Sequence, residues 1–159
     1  MIIRHATLAD VPALDGIARG AKAHWGYGAE QLALWDAALR TPPASLATHP
    51  TLLAETDAGI VAFAQLEPHT DPWELAALWV LPAHMGRGVG RTLLLRVAHL
   101  AAEAGQAQLH IDADPHAAGF YRSLGAVAVG TVAAPIEGQP QRVRPQLRLR
   151  LEGVDRRPP

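Results

Sequence analysis

Three glycines at alternate positions, Gly86, Gly88 and Gly90, separate an apolar run, Leu78-Trp79-Val80-Leu81, from a helical pattern that opens at Val89. Glycine lets backbone approach a ligand closely, and the first amides of a helix are unpaired and carry its positive dipole end. Met85, Gly86, Arg87, Gly88, Val89, Gly90 and Arg91 thus outline an anion site suited to a phosphate or pyrophosphate. Two common phosphate loops do not fit. A Walker loop would place its first glycine on Met85 and its lysine on Arg91. A dinucleotide fingerprint needs G-x-G-x-x-G after the first strand, whereas here the spacing is G-x-G-x-G and roughly half the chain precedes it.

The elements that must position this loop follow from periodicity. Ile2 to Ala6 reads as a strand, and Thr7 with Asp10 forms a weak capping box ahead of Leu8, Val11, Leu14, Ile17, Ala18 and Ala21 at helical spacing. After a break at Trp25-Gly26-Tyr27-Gly28, a second helix runs to about Arg40, where Thr41-Pro42-Pro43 ends it. Strands at 51–55 and 60–65 flank a hairpin turn, and 73–81 joins them as a third antiparallel member. Beyond the glycine loop come a helix ending at Gly105, a strand at 108–112, a helix from Asp114 through Leu124, and last strands at 126–133 and 146–151. Strand, loop, helix, strand is a crossover, so 73–81 and 108–112 should lie parallel.

The glycine loop resembles the acetyl-CoA pyrophosphate loop of the GCN5-related N-acetyltransferase family, Gln/Arg-x-x-Gly-x-Gly/Ala. Gly88 and Gly90 take the glycine positions, and Met85 stands where Gln or Arg is usual. Asp114-Pro115-His116-Ala117-Ala118-Gly119-Phe120-Tyr121-Arg122-Ser123-Leu124-Gly125-Ala126 resembles the family's other signature, Asn-x-x-Ala-x-x-Phe-Tyr-x-x-x-Gly-Phe. Ala117, Phe120, Tyr121 and Gly125 match; Asp114 replaces Asn and Ala126 replaces the aromatic. The element order is the family's over nearly the whole chain.

This resemblance implies an α/β (α+β) fold: a mixed, mostly antiparallel sheet of about six or seven strands with helices on both faces. It also implies a splayed parallel pair at the cofactor site, in a single domain over 1–159 whose tail, 155–159, is frayed. The implied activity is acetyl transfer from acetyl-CoA, as co-substrate, to a primary amine of a small molecule or peptide. Leu78, Trp79 and Val80 would pair with the pantetheine arm, Val80 supplying an amide to the thioester oxygen, and Asp114, Ala117 and Phe120 would complete the cofactor site. Tyr121 matches the family's general acid; a phenol with a pKa of about 10 can protonate a departing thiolate. Glu74, near the start of its strand, is the expected base and should share a face with residues 76, 78 and 80. His24 is the rival base or an acceptor-binding group, since histidine titrates near neutrality. Trp25 and Tyr27 would wall the acceptor pocket or staple the first two helices together. The alternative function is a catalytically silent acetyl-CoA sensor or scaffold, against which the retained Tyr121 and Glu74 weigh.

Other chemistry is weakly signalled. His110-x-Asp112-x-Asp114-x-His116 invites a metal, but Pro115 breaks the alternation, and no metal is expected. Arg142, Arg144, Arg148 and Arg150 are the one basic cluster, and with a net charge of −1 nucleic acid is not expected. There is no cysteine, no signal-peptide pattern and no apolar run of the ~18 residues a membrane span needs, so a cytoplasmic chain without a membrane partner is expected. A homodimer is compatible with the resemblance.

Overall fold

The computed structural model describes residues 1–153; the expected frayed tail from Asp155 lies outside the described residues. Seven strands form one sheet in the order β1-β2-β3-β4-β5-β7-β6. They are β1 (Ile2–His5), β2 (Thr51–Thr56), β3 (Gly59–Glu67), β4 (Glu74–Val80), β5 (Gln108–Asp112), β6 (Val127–Ala133) and β7 (Val143–Arg150). Every neighbouring pair is antiparallel except β4 and β5. The sheet is thus mixed and mostly antiparallel, as the resemblance implied.

Helices cover both faces. α1 (Val11–Ala23) follows a 3-10 turn in which the Thr7 amide and hydroxyl both donate to Asp10, at 2.8 and 3.1 Å. Arg4 grips the same carboxylate with two N–H groups, at 2.8 and 3.0 Å, and so ties the helix start to β1. Leu14, Ile17 and Ala18 of α1 pack on Leu53 and Phe63. α3 (Val89–Glu103) lays Leu93, Leu94, Val97, Ala98 and Ala101 on the opposite face, against Ala62, Ala64, Leu66, Leu109 and Leu147. Each such leucine, removed from water, contributes roughly 1.5–3 kcal/mol of transfer free energy. α2 (Ala29–Leu39) buries no residue fully and lies alongside α1.

The parallel pair is short. Only Glu74 and His110 are in register, held by the His110 amide donating to the Trp73 carbonyl at 2.9 Å. Beyond that point β4 continues to Val80 with no strand on its outer edge, because β5 ends at Asp112.

The β3–β4 ladder explains part of this. Gln65 pairs with Ala77 but Leu66 pairs with Leu75, so Ala76 is an extra residue, a β-bulge. A bulge reverses side-chain alternation, which corrects the expected face of residues 74, 76, 78 and 80. Leu75 belongs to the core under α3, and Leu78 and Val80 pack against that core. Ala77 and Trp79 pack on the α1 side. Glu74, one step before Leu75, therefore shares the α1 face with Ala77 and Trp79 instead of Leu78 and Val80.

Two other boundaries differ from expectation. α4 is only Ala118–Ser123, because Asp114 to Ala117 forms a turn, with the Ala117 amide bonded to the Asp114 carbonyl at 2.9 Å. β7 begins at Val143 instead of 146; Pro145 pairs with Thr131 inside the strand, and its carbonyl accepts the Ala113 amide. Proline is tolerated there because the ladder needs its carbonyl and not an N–H.

Candidate active site

The gap between the parted ends of β4 and β5 is a cleft of about 480 Å³. The sheet supplies Leu75 to Val80 as one wall; the glycine loop closes one end and the turn before α4 the other. Hydrogen bonding shows what that wall offers. The Leu81 amide donates to the Val61 carbonyl at 2.8 Å, so by antiparallel alternation Trp79 and Ala77 also turn their backbone toward β3. Leu78 and Val80 then turn their N–H and C=O groups outward, into the gap. Before the bulge the parity is opposite, which is why the Trp73 carbonyl can reach β5.

At the loop, Gly86 and Gly88 hold φ of +73° and +82°, the left-handed region that disfavours any other residue. Gly88 caps α3, and its carbonyl accepts both the amide and the hydroxyl of Thr92, at 3.0 Å each. Gly90 lies where packing is close: a Cβ there would meet the Phe120 and Val80 side chains at 3.4 Å, filling the space between α3 and β4. Met85, Gly86, Gly88, Gly90 and Arg91 line the cleft. Arg87 is exposed beside it, and Val89 turns into the core. The cleft also takes in His84, Ala76 and Ala77, which the motifs did not single out.

Ala117 from the turn before α4, and Phe120 and Tyr121 from α4 itself, line the cleft, and the Phe120 and Tyr121 rings meet edge to face with centroids 5.2 Å apart. Tyr121 is buried yet lines the cleft. Burial, reinforced by the Asp114 carboxylate, pushes its phenol well above the ordinary value of 10. It therefore stays protonated, a hydrogen-bond donor throughout any working pH range.

Asp114 lines the cleft as expected, but its oxygens are already engaged. It accepts hydrogen bonds from Lys22 at 2.5 Å, the Tyr27 hydroxyl at 2.9 Å and the His116 amide at 2.8 Å. Lys22 comes from α1 and also faces the rings of Trp35 (4.4 Å) and Tyr27 (5.0 Å). Arg142 from the β6–β7 connection donates to the Tyr27 hydroxyl at 3.0 Å and lies over the same two rings. Burial alone would raise the Asp114 pKa, but the Lys22 ammonium and the other donors outweigh it and hold the carboxyl at about 2. Burial pushes Lys22 down from its ordinary value, with Asp114 opposing. Lys22 is the one lysine in the chain, and it accounts for Asp in place of the family's Asn.

The connection after α1 splits its expected roles. Trp25 lines the cleft, stacked on His116 at 5.3 Å and 7°. Tyr27 does not; it is the buried staple, edge-on to Trp35 at 4.8 Å. His24 is exposed at the end of α1, outside the cleft lining, its ring 5.0 Å from Trp25.

Glu74 is also outside that lining, at the closed start of the β4–β5 pair. Burial, with help from Asp112 and Glu67, pushes its carboxyl above the ordinary 4.5, while His110 opposes. His110 accepts from Arg148 Nε at 3.0 Å and contacts Gln146 at 2.8 Å; Gln146 in turn donates to Asp112 at 2.9 Å, and Arg144 pairs with that carboxylate. These bonds disperse the four residues of the His110-to-His116 pattern: only Asp114 and His116 touch, at 2.9 Å.

Residues 47–125 match the family model described as an acetyltransferase (GNAT) domain, a span that holds the bulged strand, the glycine loop and Tyr121. No curated protein matches the sequence. Among solved structures, a GCN5-related N-acetyltransferase from Rhodopseudomonas palustris is 26% identical with a TM-score of 0.78, covering 94% of each chain. The PaiA N-acetyltransferase of Thermoplasma acidophilum, solved with coenzyme A, is 17% identical with a TM-score of 0.77, over 94% of this chain and 98% of that one. The yncA protein of Salmonella typhimurium, solved with its cofactor acetyl-CoA, is 24% identical with a TM-score of 0.70, over 95% and 94%. Fold and site together define an acetyltransferase. The chain belongs to the GCN5-related N-acetyltransferase superfamily.

The Lys22–Asp114 pair yields a prediction. Lys22→Met removes the closest charged partner of a buried carboxylate, with the Arg142 guanidinium still 3.5 Å away, and should destabilise the fold by about 1.5–3 kcal/mol. Adding Asp114→Asn should recover a large part of that loss in urea titrations. Asp114 is depressed from 3.8 to about 2, so its stabilisation is complete above pH 3.8 and fades as pH falls toward 2. Additive single and double mutants would show that the pair is not coupled.

Proposed function

We propose that this chain is an N-acetyltransferase that moves the acetyl group of acetyl-CoA onto a primary amine of a small molecule or peptide. The observation that carries the reading is the gap beside Leu78 and Val80, which opens at one end on a glycine-rich helix start and at the other on Tyr121. An extended polar arm fits that gap as a pseudo-strand, and its pyrophosphate fits the amides behind Gly86 and Gly88. Exposed Arg87 and Arg91 add charge complementarity.

The chemistry divides across the sheet. An amine with a reference pKa of about 10.4 arrives protonated and must lose a proton before it attacks. Glu74, with its raised pKa and its place on the α1 face, takes that proton directly or through water. The new C–N bond forms as the C–S bond breaks. The Val80 amide stabilises charge on the thioester oxygen, and Tyr121 gives its proton to the departing sulfur. Trp25 lines the acceptor approach, with Tyr27 fixed behind it. Glu67 stands beside Glu74 across the β3–β4 ladder, so the acceptor side carries carboxylates that favour a cationic amine. The edge strand β6, apolar and exposed along its whole length, supports a homodimer.

Two measurements check the assignment. Tyr121→Phe should lower turnover by more than tenfold, followed as thiol release over a panel of amines, with little change in acetyl-CoA KM. Saturable CoA binding without thiol release on any amine, unchanged in that variant, would instead identify a binding module.

The pH profile tests the base. Glu74 must be ionised to accept a proton, so wild-type kcat/KM should rise through a pKa above the ordinary carboxylate value of 4.5. Glu74→Gln should lose that limb and roughly 10²–10⁴-fold in rate. An unchanged limb in Glu74→Gln would remove Glu74 from the role.

A further inference from the structure

On the α1 face, a second cavity of about 430 Å³ lies between the end of α2 and strands β3 and β4. It shares Ala76, Ala77 and Trp79 with the cleft described above, so the bulged strand separates the two spaces. His49 and Glu67 line it, and His69 converges on them from just outside. His49 precedes β2, Glu67 ends β3, and His69 follows in the next turn. One ligand atom from each lies within 4.8 Å of the others.

Both oxygens of one carboxylate face imidazole nitrogens: His49 Nε2 at 2.5 Å from Oε2, and His69 Nδ1 at 2.8 Å from Oε1. Glu67 is held in place by the His69 amide, which donates to it at 2.7 Å. His49 is held by a contact of its other ring nitrogen, Nδ1, with the Thr48 hydroxyl at 2.8 Å. That outer contact orients the ring and directs Nε2 inward, as the supporting partners of metal-bound histidines do. The backbone bond from His69 keeps the carboxylate turned toward both rings. Hydrogen bonding from these donors holds the Glu67 carboxyl below its ordinary value, the His69 amide contributing most.

We propose that His49, Glu67 and His69 form a site for a borderline transition-metal ion of the zinc class, with an open coordination position toward the second cavity. Two imidazoles and one carboxylate suit zinc or cobalt(II) and are a poor match for calcium or magnesium, which prefer all-oxygen sets. Three protein ligands leave the fourth position to water or to a donor from the cavity. The site shares Glu67 with the acceptor side of the proposed reaction but uses none of the groups assigned to proton transfer or cofactor binding, and metal binding is read independently of acetyl transfer. Sequence offered only Glu67-x-His69, because His49 is distant along the chain and reaches the pair through the β2–β3 ladder.

The test uses the untagged full chain, stripped of metal by chelation and titrated with cobalt(II). The expected result is saturation at one equivalent, with visible absorption bands of a low-coordinate cobalt centre that zinc displaces. His69→Ala and Glu67→Gln should each weaken binding by at least tenfold, while the metal-free variants keep the wild-type circular dichroism spectrum. His69 is mostly exposed, so its replacement leaves the fold intact. His5→Ala, on β1, is the control and should bind as the wild type does. Affinity should fall as pH is lowered, because protons compete with the metal for its ligands. Absence of those bands, or binding that survives both His69→Ala and Glu67→Gln, would overturn the proposal and leave the three residues as a proton-held cluster.

Discussion

One inserted residue, Ala76, sets the geometry on which the site depends. Without it, β4 would keep a single alternation from Glu74 to Val80. With it, the chain pairs toward β5 through Trp73 before the bulge, then turns Leu78 and Val80 outward beyond it, where no strand remains to receive them. Unpaired backbone groups at a sheet edge are costly when buried and reactive toward any extended partner when exposed. The same reversal places Glu74 on the α1 face, across the sheet from the core under α3. A single backbone irregularity therefore both opens the gap and separates the proposed base from the cofactor side.

Electrostatics then fixes the far wall. Asp114 is the hub: it orders the turn before α4 through the His116 amide, binds Lys22 on α1, and bonds Tyr27 on the connection after α1. Arg142 extends the network to the β6–β7 connection. Burial first, and the Asp114 carboxylate second, keep the Tyr121 phenol protonated. Elements distant in sequence are thus held to the same turn that presents the proposed acid.

Much of this was legible in the sequence, for physical reasons. Helical and alternating periodicities gave the strands and helices in order, because burial of one face enforces them. The glycine loop was readable because positive φ at Gly86 and Gly88 demands glycine. The bulge was not readable, since Ala76 carries no signal of its own, and the predicted face of Glu74 failed with it. Likewise Lys22, Arg142 and His49 act through tertiary contacts that no local spacing announces. Sequence left Tyr27 open between pocket wall and staple, and only its contacts with Asp114 and Trp35 make it the staple.

The central claim is that the outward amides of Leu78 and Val80 receive the extended arm of coenzyme A. Residue-resolved amide hydrogen exchange, with and without saturating coenzyme A, tests it most directly. The account predicts slowing of at least tenfold at Leu78 and Val80, with Ala77 and Trp79, already bonded to β3, little changed. Unaltered exchange at Leu78 and Val80 in the saturated protein would contradict it.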